Sequence, residues 1–258
     1  MNLEIENKRQ KNIYKANELI TKSRFTLSAQ QQKIVLYLIS QINPFDDEFK
    51  LYEFSIKEFC EICNINTSSG RNYEMIKKQI KAIADKSIWI ELADGKETLL
   101  RWIEKPYIDK EKGTVKIKLD NDMKPFLLQL NSNYTKYELY FILHFKSKYT
   151  IRLYEYIKAR HFDELQKYSF EISLLELCER LDCKQYENEF KSFHTRVLKP
   201  AVLEINQFSE KNIEYELIKQ GKKVIGIKFN INTKDVIERM KIYAQLESIY
   251  NEEQTKLY

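Results

Sequence analysis

The chain has 258 residues, 43% of them hydrophobic and 13% aromatic, enough apolar side chain to bury a core and to exclude wholesale disorder. Forty-three Lys and Arg against 38 Asp and Glu leave a net charge of only +5, so any basic surface must come from placement rather than composition. No apolar run approaches the ~18 residues of a membrane span. The polar opening Met1 to Gln10 lacks a signal-peptide core, so the expected compartment is the cytoplasm, with no membrane partner and the four cysteines kept as thiols.

Several chemistries lack their residues. Gly221 and Gly226 are spaced like a phosphate loop, but Ile227 and Lys228 follow where Lys and Ser or Thr would be needed. His144, His161 and His194 stand far apart, with no paired histidines to hold the metal of a tyrosine nicking enzyme. Cys60 and Cys63, and Cys178 and Cys183, are two distant pairs set in helical apolar patterns without knuckle glycines, which reads as core thiols rather than a zinc site. The expectation is a protein that is not an enzyme, with no cofactor and no metal.

In chain order, residues 1–24 read as an N-terminal extension. Residues 26–42 carry the apolar spacing of a helix, with Ile34, Leu36, Leu38, Ile39 and Ile42. A short strand at 51–54 precedes a helix over 55–63, and Thr67-Ser-Ser-Gly supplies a turn before a third helix over 71–86. Two β-rich stretches, 88–92 and 114–119, close this half, the second following a Lys-Gly turn. Residues 121–147, with Pro125 and Asn131-Ser-Asn, read as an interdomain linker whose apolar Leu139-Tyr-Phe-Ile-Leu packs the halves together. The second half repeats the order: a helix over 148–163, a strand around Phe170, helices over 173–182 and 187–207, and strands 213–218 and 224–231 joined at Lys219-Gln-Gly-Lys-Lys. A last helix, 233–250, heads a C-terminal segment 233–258.

The halves align. Ser55-Ile-Lys-Glu-Phe-Cys-Glu matches Ser173-Leu-Leu-Glu-Leu-Cys-Glu at an offset of 118 residues, and Lys33-Ile-Val-Leu-Tyr-Leu-Ile matches Thr150-Ile-Arg-Leu-Tyr-Glu-Tyr at 117. Three helices followed by a hairpin is the winged-helix arrangement, its later helix pair a helix-turn-helix. The fold class expected is therefore α+β: two tandem winged-helix domains, 25–120 and 148–232, each with a β-hairpin wing.

At ~100° per residue, Phe190, Phe193, Val197, Ala201 and Ile205 form one stripe on the third helix of the second half. Asn188, Ser192, Thr195 and Lys199 lie opposite, with Arg196 beside them and Lys191 on the flank. Arg pairs with guanine, Asn with adenine, and Ser or Thr with a base or phosphate, so this face suits the major groove. The wing lysines Lys219, Lys222 and Lys223 suit the backbone. In the first half Arg71, Lys78 and Lys81 face outward with Lys77 on the flank, and they suit phosphates better than bases. Polar residues opposite an apolar stripe also occur on any surface helix. Pro200 removes a backbone bond to Arg196 and predicts a kink in the helix, with the groove-facing part before it, and His194 sits near the apolar edge as a packing residue.

Lys15-Ala-Asn-Glu-Leu-Ile with Leu27-Ser-Ala-Gln-Gln-Gln-Lys-Ile-Val-Leu-Tyr-Leu-Ile, then Ser147-Lys-Tyr-Thr-Ile-Arg-Leu-Tyr-Glu-Tyr-Ile, then Phe190-Lys-Ser-Phe-His-Thr-Arg-Val-Leu-Lys-Pro-Ala-Val, resemble the iteron-binding plasmid replication initiators of the Rep family over roughly residues 13–232. The resemblance implies sequence-specific binding to repeated double-stranded sites at a plasmid origin, opening of the neighbouring duplex, and recruitment of the host initiator and replicative helicase. It also implies a homodimer, paired through the first domain, that represses its own gene. Base readout then falls to Asn188, Lys191, Ser192, Thr195, Arg196 and Lys199, while Arg152 and Tyr154 are architectural. A transcriptional repressor without a replication role, a nicking initiator and a partner-binding scaffold are the alternatives.

Overall fold

The computed structural model describes residues 3–63, 72–92, 94–160 and 166–255. They form two compact units, one holding the chain up to Leu143 and the other His144–Asn251.

The first unit opens with α1 (Leu3–Arg9), β1 (Asn12–Ala16), α2 (Asn17–Thr21) and β2 (Ser23–Arg24). It continues with α3 (Ala29–Ser40), β3 (Tyr52–Ser55), α4 (Ile56–Ile62) and α5 (Asn72–Ala84). Then come β4 (Ser87–Glu91), β5 (Glu97–Arg101), β6 (Tyr107–Asp109), β7 (Thr114–Ile117), α6 (Lys124–Leu127), β8 (Tyr134–Glu138) and α7 (Leu139–His144). Ser28 starts α3 with a full capping box, its hydroxyl accepting from the Gln31 N–H while the Gln31 side chain accepts from the Ser28 N–H. Ser55 caps α4 through its hydroxyl alone, accepting from the Glu58 N–H. The core is built from Ile34, Leu38, Phe59, Ile76, Ile80 and Ile83, each almost wholly buried. The Thr67-Ser-Ser-Gly turn lies outside the described residues.

Two features of this unit differ from the pattern read off the chain. The stretches 1–24 and 121–147, read as extension and linker, hold strands that pair with each other, β1 antiparallel to β8 with Ile13 opposite Tyr137. Arg9, buried on α1, donates to the Ile62 carbonyl at the end of α4 at 2.9 Å. The apolar alternation of β1 and β8 is short, and only tertiary pairing makes strands of them. Second, the β-rich stretches around 88–92 and 114–119 do not pair together. β4 lies between β2 and β5 in one sheet, and β7 lies between β3 and β6 in another.

The second unit has α8 (Lys148–Ala159), β9 (Lys167–Ser173), α9 (Leu174–Arg180), α10 (Phe190–Phe193), α11 (Lys199–Phe208), β10 (Lys211–Gln220) and β11 (Lys223–Thr233). α12 (Val236–Thr255) follows, with Ile242 and Leu246 buried. α8 and β10 pack on α11, over a core of Leu153, Ile157, Leu177, Val197, Ala201, Ile205 and Phe229. The sheet runs β10-β11-β9 and its counterpart in the first unit β6-β7-β3, so in each unit the strand before the helix pair joins the last strand of the hairpin. Ser173 caps α9 by accepting from the Glu176 N–H, as Ser55 does for α4. The Ser-x-x-Glu of the sequence repeat is thus a repeated helix start.

Candidate nucleic-acid interface

α9 ends in a left-handed turn at Asp182 (φ 55°). The Asp182 N–H donates to Glu179 O at 3.2 Å and the Cys183 N–H to Cys178 O at 2.8 Å, the paired bonds of a Schellman motif. Lys148 clamps the turn from α8 through a 2.8 Å bridge to the Asp182 carboxylate. The chain then takes a 3-10 turn, Lys184–Tyr186, and enters α10 at Phe190, three residues after the start expected at 187.

Where a kink was expected at Pro200, the helix takes a π turn just ahead of it. Between α10 and α11, His194–Leu198 is π-helical, and the Lys199 N–H donates to the His194 carbonyl five residues back. Pro200 has no N–H, and its ring would meet the Arg196 carbonyl at α spacing. The wider turn relieves that contact.

The stripe holds: Phe193, Val197, Ala201 and Ile205 are buried and Phe190 is half-buried. Lys191, Thr195, Arg196 and Lys199 are exposed. Ser192 is half-exposed and donates to a Glu189 carboxylate oxygen at 2.5 Å. Asn188, expected on the helix, lies in the turn ahead of it, with its amide 3.4 Å from the Glu187 carboxylate. Any base contact by Ser192 or Asn188 must replace these local bonds. His194 is more than packing, since its Nε2 lies 2.8 Å from the Tyr215 hydroxyl on β10.

β10 and β11 run to the hairpin tip, where Gly221 adopts φ 61°. Lys219, on β10, and Lys223, on β11, flank the turn residue Lys222, and all three are exposed. Arg196, Lys199 and the three wing lysines make no ion pair with another described residue, so their charge faces solvent and can meet phosphates.

In the first unit Arg71 lies outside the described residues. Lys77 and Lys78 are exposed on α5, and so is Lys81, which is held by an ion pair with Asp85 one turn on. This unit contributes cations that sequence reasoning missed. Lys110, at the turn between β6 and β7, and Lys77 both lie 5.8 Å from the centre of the Tyr73 ring, and Lys105 lies 5.6 Å from that of Tyr107. The tip of this hairpin thus reaches the start of α5, and exposed Lys105, Lys110 and Lys112 extend the basic surface. Gly113 (φ 62°) and the strand that follows it were the signals for this wing, and its first strand gave none, because β6 has three residues and follows Pro106.

The remaining candidates resolve as structure. All four cysteines are buried thiols. Burial pushes Cys60 and Cys63 up to about 12. Among the described residues no group of three His, Cys, Asp or Glu side chains is placed to hold a metal ion, and no helix is long and apolar enough to cross a membrane. Arg152 and Tyr154 are buried on α8.

This geometry has named relatives. The family described as "Initiator Replication protein, WH1" matches residues 12–158, and "Initiator Rep protein, WH2" matches 173–231. The chain belongs to the initiator replication protein family. It has the two winged-helix domains of that family, WH1 and WH2, in keeping with the repeated element order. This initiator is also similar to a "Replication initiation protein" of Escherichia coli, 25% identical over 243 residues that make up 92% of this chain and 73% of the relative. A solved structure, "Crystal structure of Pi initiator protein in complex with iteron DNA", superposes with a TM-score of 0.70 at 19% identity, covering 88% of this chain and 99% of that one. At that identity the likeness is one of fold. The family's match ends at 231, so α12 lies beyond it.

Proposed function

We propose that this initiator binds repeated double-stranded sites of the iteron kind at a plasmid origin, opens the adjacent duplex and hands it to the host initiator and replicative helicase. The observation that carries the reading is the exposed cationic face of the WH2 helix, tied through His194 to the β10 strand that leads to an exposed lysine wing. In this reading Arg196, Thr195 and Ser192 read base edges with Asn188 at the entrance, and Lys191 and Lys199 flank them. Lys219, Lys222 and Lys223 hold phosphates, and Lys77, Lys78, Lys81 and Arg71 of WH1, with Lys105 and Lys110, hold the backbone at a second place. The DNA-bound state of the Pi initiator supports the partner class.

A homodimer formed through WH1 completes the proposal. Its support is the outer face of the β2-β4-β5 sheet, where Trp89 and Leu99 sit opposite each other at about half exposure and β5 is an edge strand. No step of this activity calls for a catalytic residue or a cofactor, and the compartment is the cytoplasm, where the plasmid is.

The experiment is protection of the DNA flanking the gene from cleavage by hydroxyl radicals. Regular protected blocks over tandem repeats support the proposal, and uniform cleavage rejects it. A plasmid carrying only this gene and those repeats separates initiator from simple repressor by whether it replicates. Supercoiled DNA left intact with a divalent metal separates it from a nicking enzyme.

A further inference from the structure

The π turn has a fixing point outside its own helix. His194 opens the turn, and its Nε2 lies 2.8 Å from the Tyr215 hydroxyl. Ring contacts continue on both sides. The His194 ring lies 5.6 Å from Phe190 and 6.0 Å from Tyr215, Tyr215 lies 6.4 Å from Phe229, and Phe229 lies 5.4 Å from Phe170. An unbroken aromatic run therefore leads from the first residue of α10 across β10 and β11 to β9.

A π turn carries an extra residue, so the segment before it is rolled by roughly 100° relative to a continuous α-helix. α11 is anchored in the core by Ala201, Val202 and Ile205. The roll of the segment ahead of it decides where Thr195 and Arg196 point, and those two follow His194 directly in the chain. Buried Phe193 and Val197 hold that segment against the core by packing. Of the side chains within the π turn, His194 alone combines a polar group with a partner on the wing strand. Apolar packing is non-directional, whereas a hydrogen bond has a preferred direction.

We propose that His194 and Tyr215 are positioning residues for base readout: their hydrogen bond sets the roll of the π turn, aims Thr195 and Arg196, and ties that aim to the strand that carries the wing. The inference rests on the reading that this helix face contacts DNA. It adds that readout depends on two residues that touch no base.

Tyr215→Phe tests it, because the ring and its packing stay and only the hydroxyl goes. The probe is a duplex enriched from a randomised pool by the unaltered full-length chain, compared with a mixed-sequence duplex of equal length. The variant should bind the enriched duplex roughly three- to tenfold more weakly, the effect of one ordinary hydrogen bond. Binding to the mixed duplex should stay as it was, and the thermal midpoint should fall only by the few degrees that one part-buried hydrogen bond supports. In an Arg196→Ala background the same change should add less than it does alone, leaving only the part carried by Thr195. His194→Gln, which keeps a hydrogen-bonding group, should retain more discrimination than His194→Phe. An unchanged ratio of enriched to mixed affinity in Tyr215→Phe overturns the inference, and so does an equal loss on both duplexes. If the unaltered chain enriches no sequence, the DNA-readout proposal itself falls, a result distinct from either of those.

Discussion

The Tyr154 hydroxyl donates to the Glu210 carboxylate, 2.9 and 3.1 Å from its two oxygens, and Lys158 meets the same group at 2.9 Å. This closed ionic cluster links α8 to the start of the β10–β11 hairpin, within a unit whose outer surface is proposed to take up DNA. The contact gives Tyr154 a structural job within this unit, in line with its architectural reading.

Glu210 makes acid stability depend on this cluster. Burial alone would raise its carboxyl, but the Lys158 and Lys211 ammonium groups and the Tyr154 hydroxyl more than reverse that and leave it below the usual glutamate range. A depressed carboxylate stabilises fully above its unfolded value, about 4.3, and the contribution is lost as pH falls from there through the lower folded value. Urea unfolding of Glu210→Gln should show a flatter loss of stability across that acid window than the unaltered chain. At neutral pH Lys158→Met, which leaves the buried carboxylate without its nearest cation, should cost about 3–5 kcal/mol.

Gly226 sits on the central strand β11 where a Cβ would stand 2.8 Å from the Ile172 carbonyl oxygen of β9. Backbone cannot swing aside there, so Gly226→Ala should destabilise by about 1–3 kcal/mol, read as a fall in the urea midpoint at unchanged slope. At Gly221 space is open and only the left-handed φ matters. Ala there should cost about 1–2 kcal/mol, and Asn less.

On DNA, Arg196→Ala should lose about 1–3 kcal/mol on the preferred duplex and relax the choice of one base. Lys222→Ala with Lys223→Ala should weaken all sequences alike and reduce the salt slope by about 0.9 for each lost phosphate contact. Fluorescence anisotropy titrations at several salt concentrations distinguish the two patterns.

Cys60 and Cys63, buried and pushed up to about 12, should resist alkylation at pH 8 in the folded chain and react once it is unfolded in urea. Mass spectrometry of the labelled chain gives the count. Rapid labelling of either in the native protein would contradict their burial.

The WH2 domain was legible in the sequence because each signal is local. Ser173 with Glu176 marks a helix start, the Phe193, Val197, Ala201 and Ile205 stripe marks the buried face, and Gly221 between alternating strands marks the wing. Asn188 was placed one element too late because the 3-10 turn over Lys184–Tyr186 has no periodic signature. WH1 was harder. β5 and β6 are short, and β6 follows Pro106, so the first strand of this wing, with Lys105 and Lys110 beside it, carried no pattern of its own. The partnership of β1 and β8 leaves nothing in either segment to announce the other. The His194 contact was hidden because Tyr215 is a strand residue, and only folding brings it to the helix.

The pairing of Asn12–Ala16 with Tyr134–Glu138 also sets a timetable for synthesis. The ribosome must deliver nearly the whole first unit before its opening strand finds its partner. Until then β1 presents open backbone donors and acceptors to the crowded cell, a ready template for another unfinished chain. Slow translation or premature termination before Tyr134 should therefore favour aggregation of nascent initiator, and so limit how much active protein a plasmid can raise from its own gene.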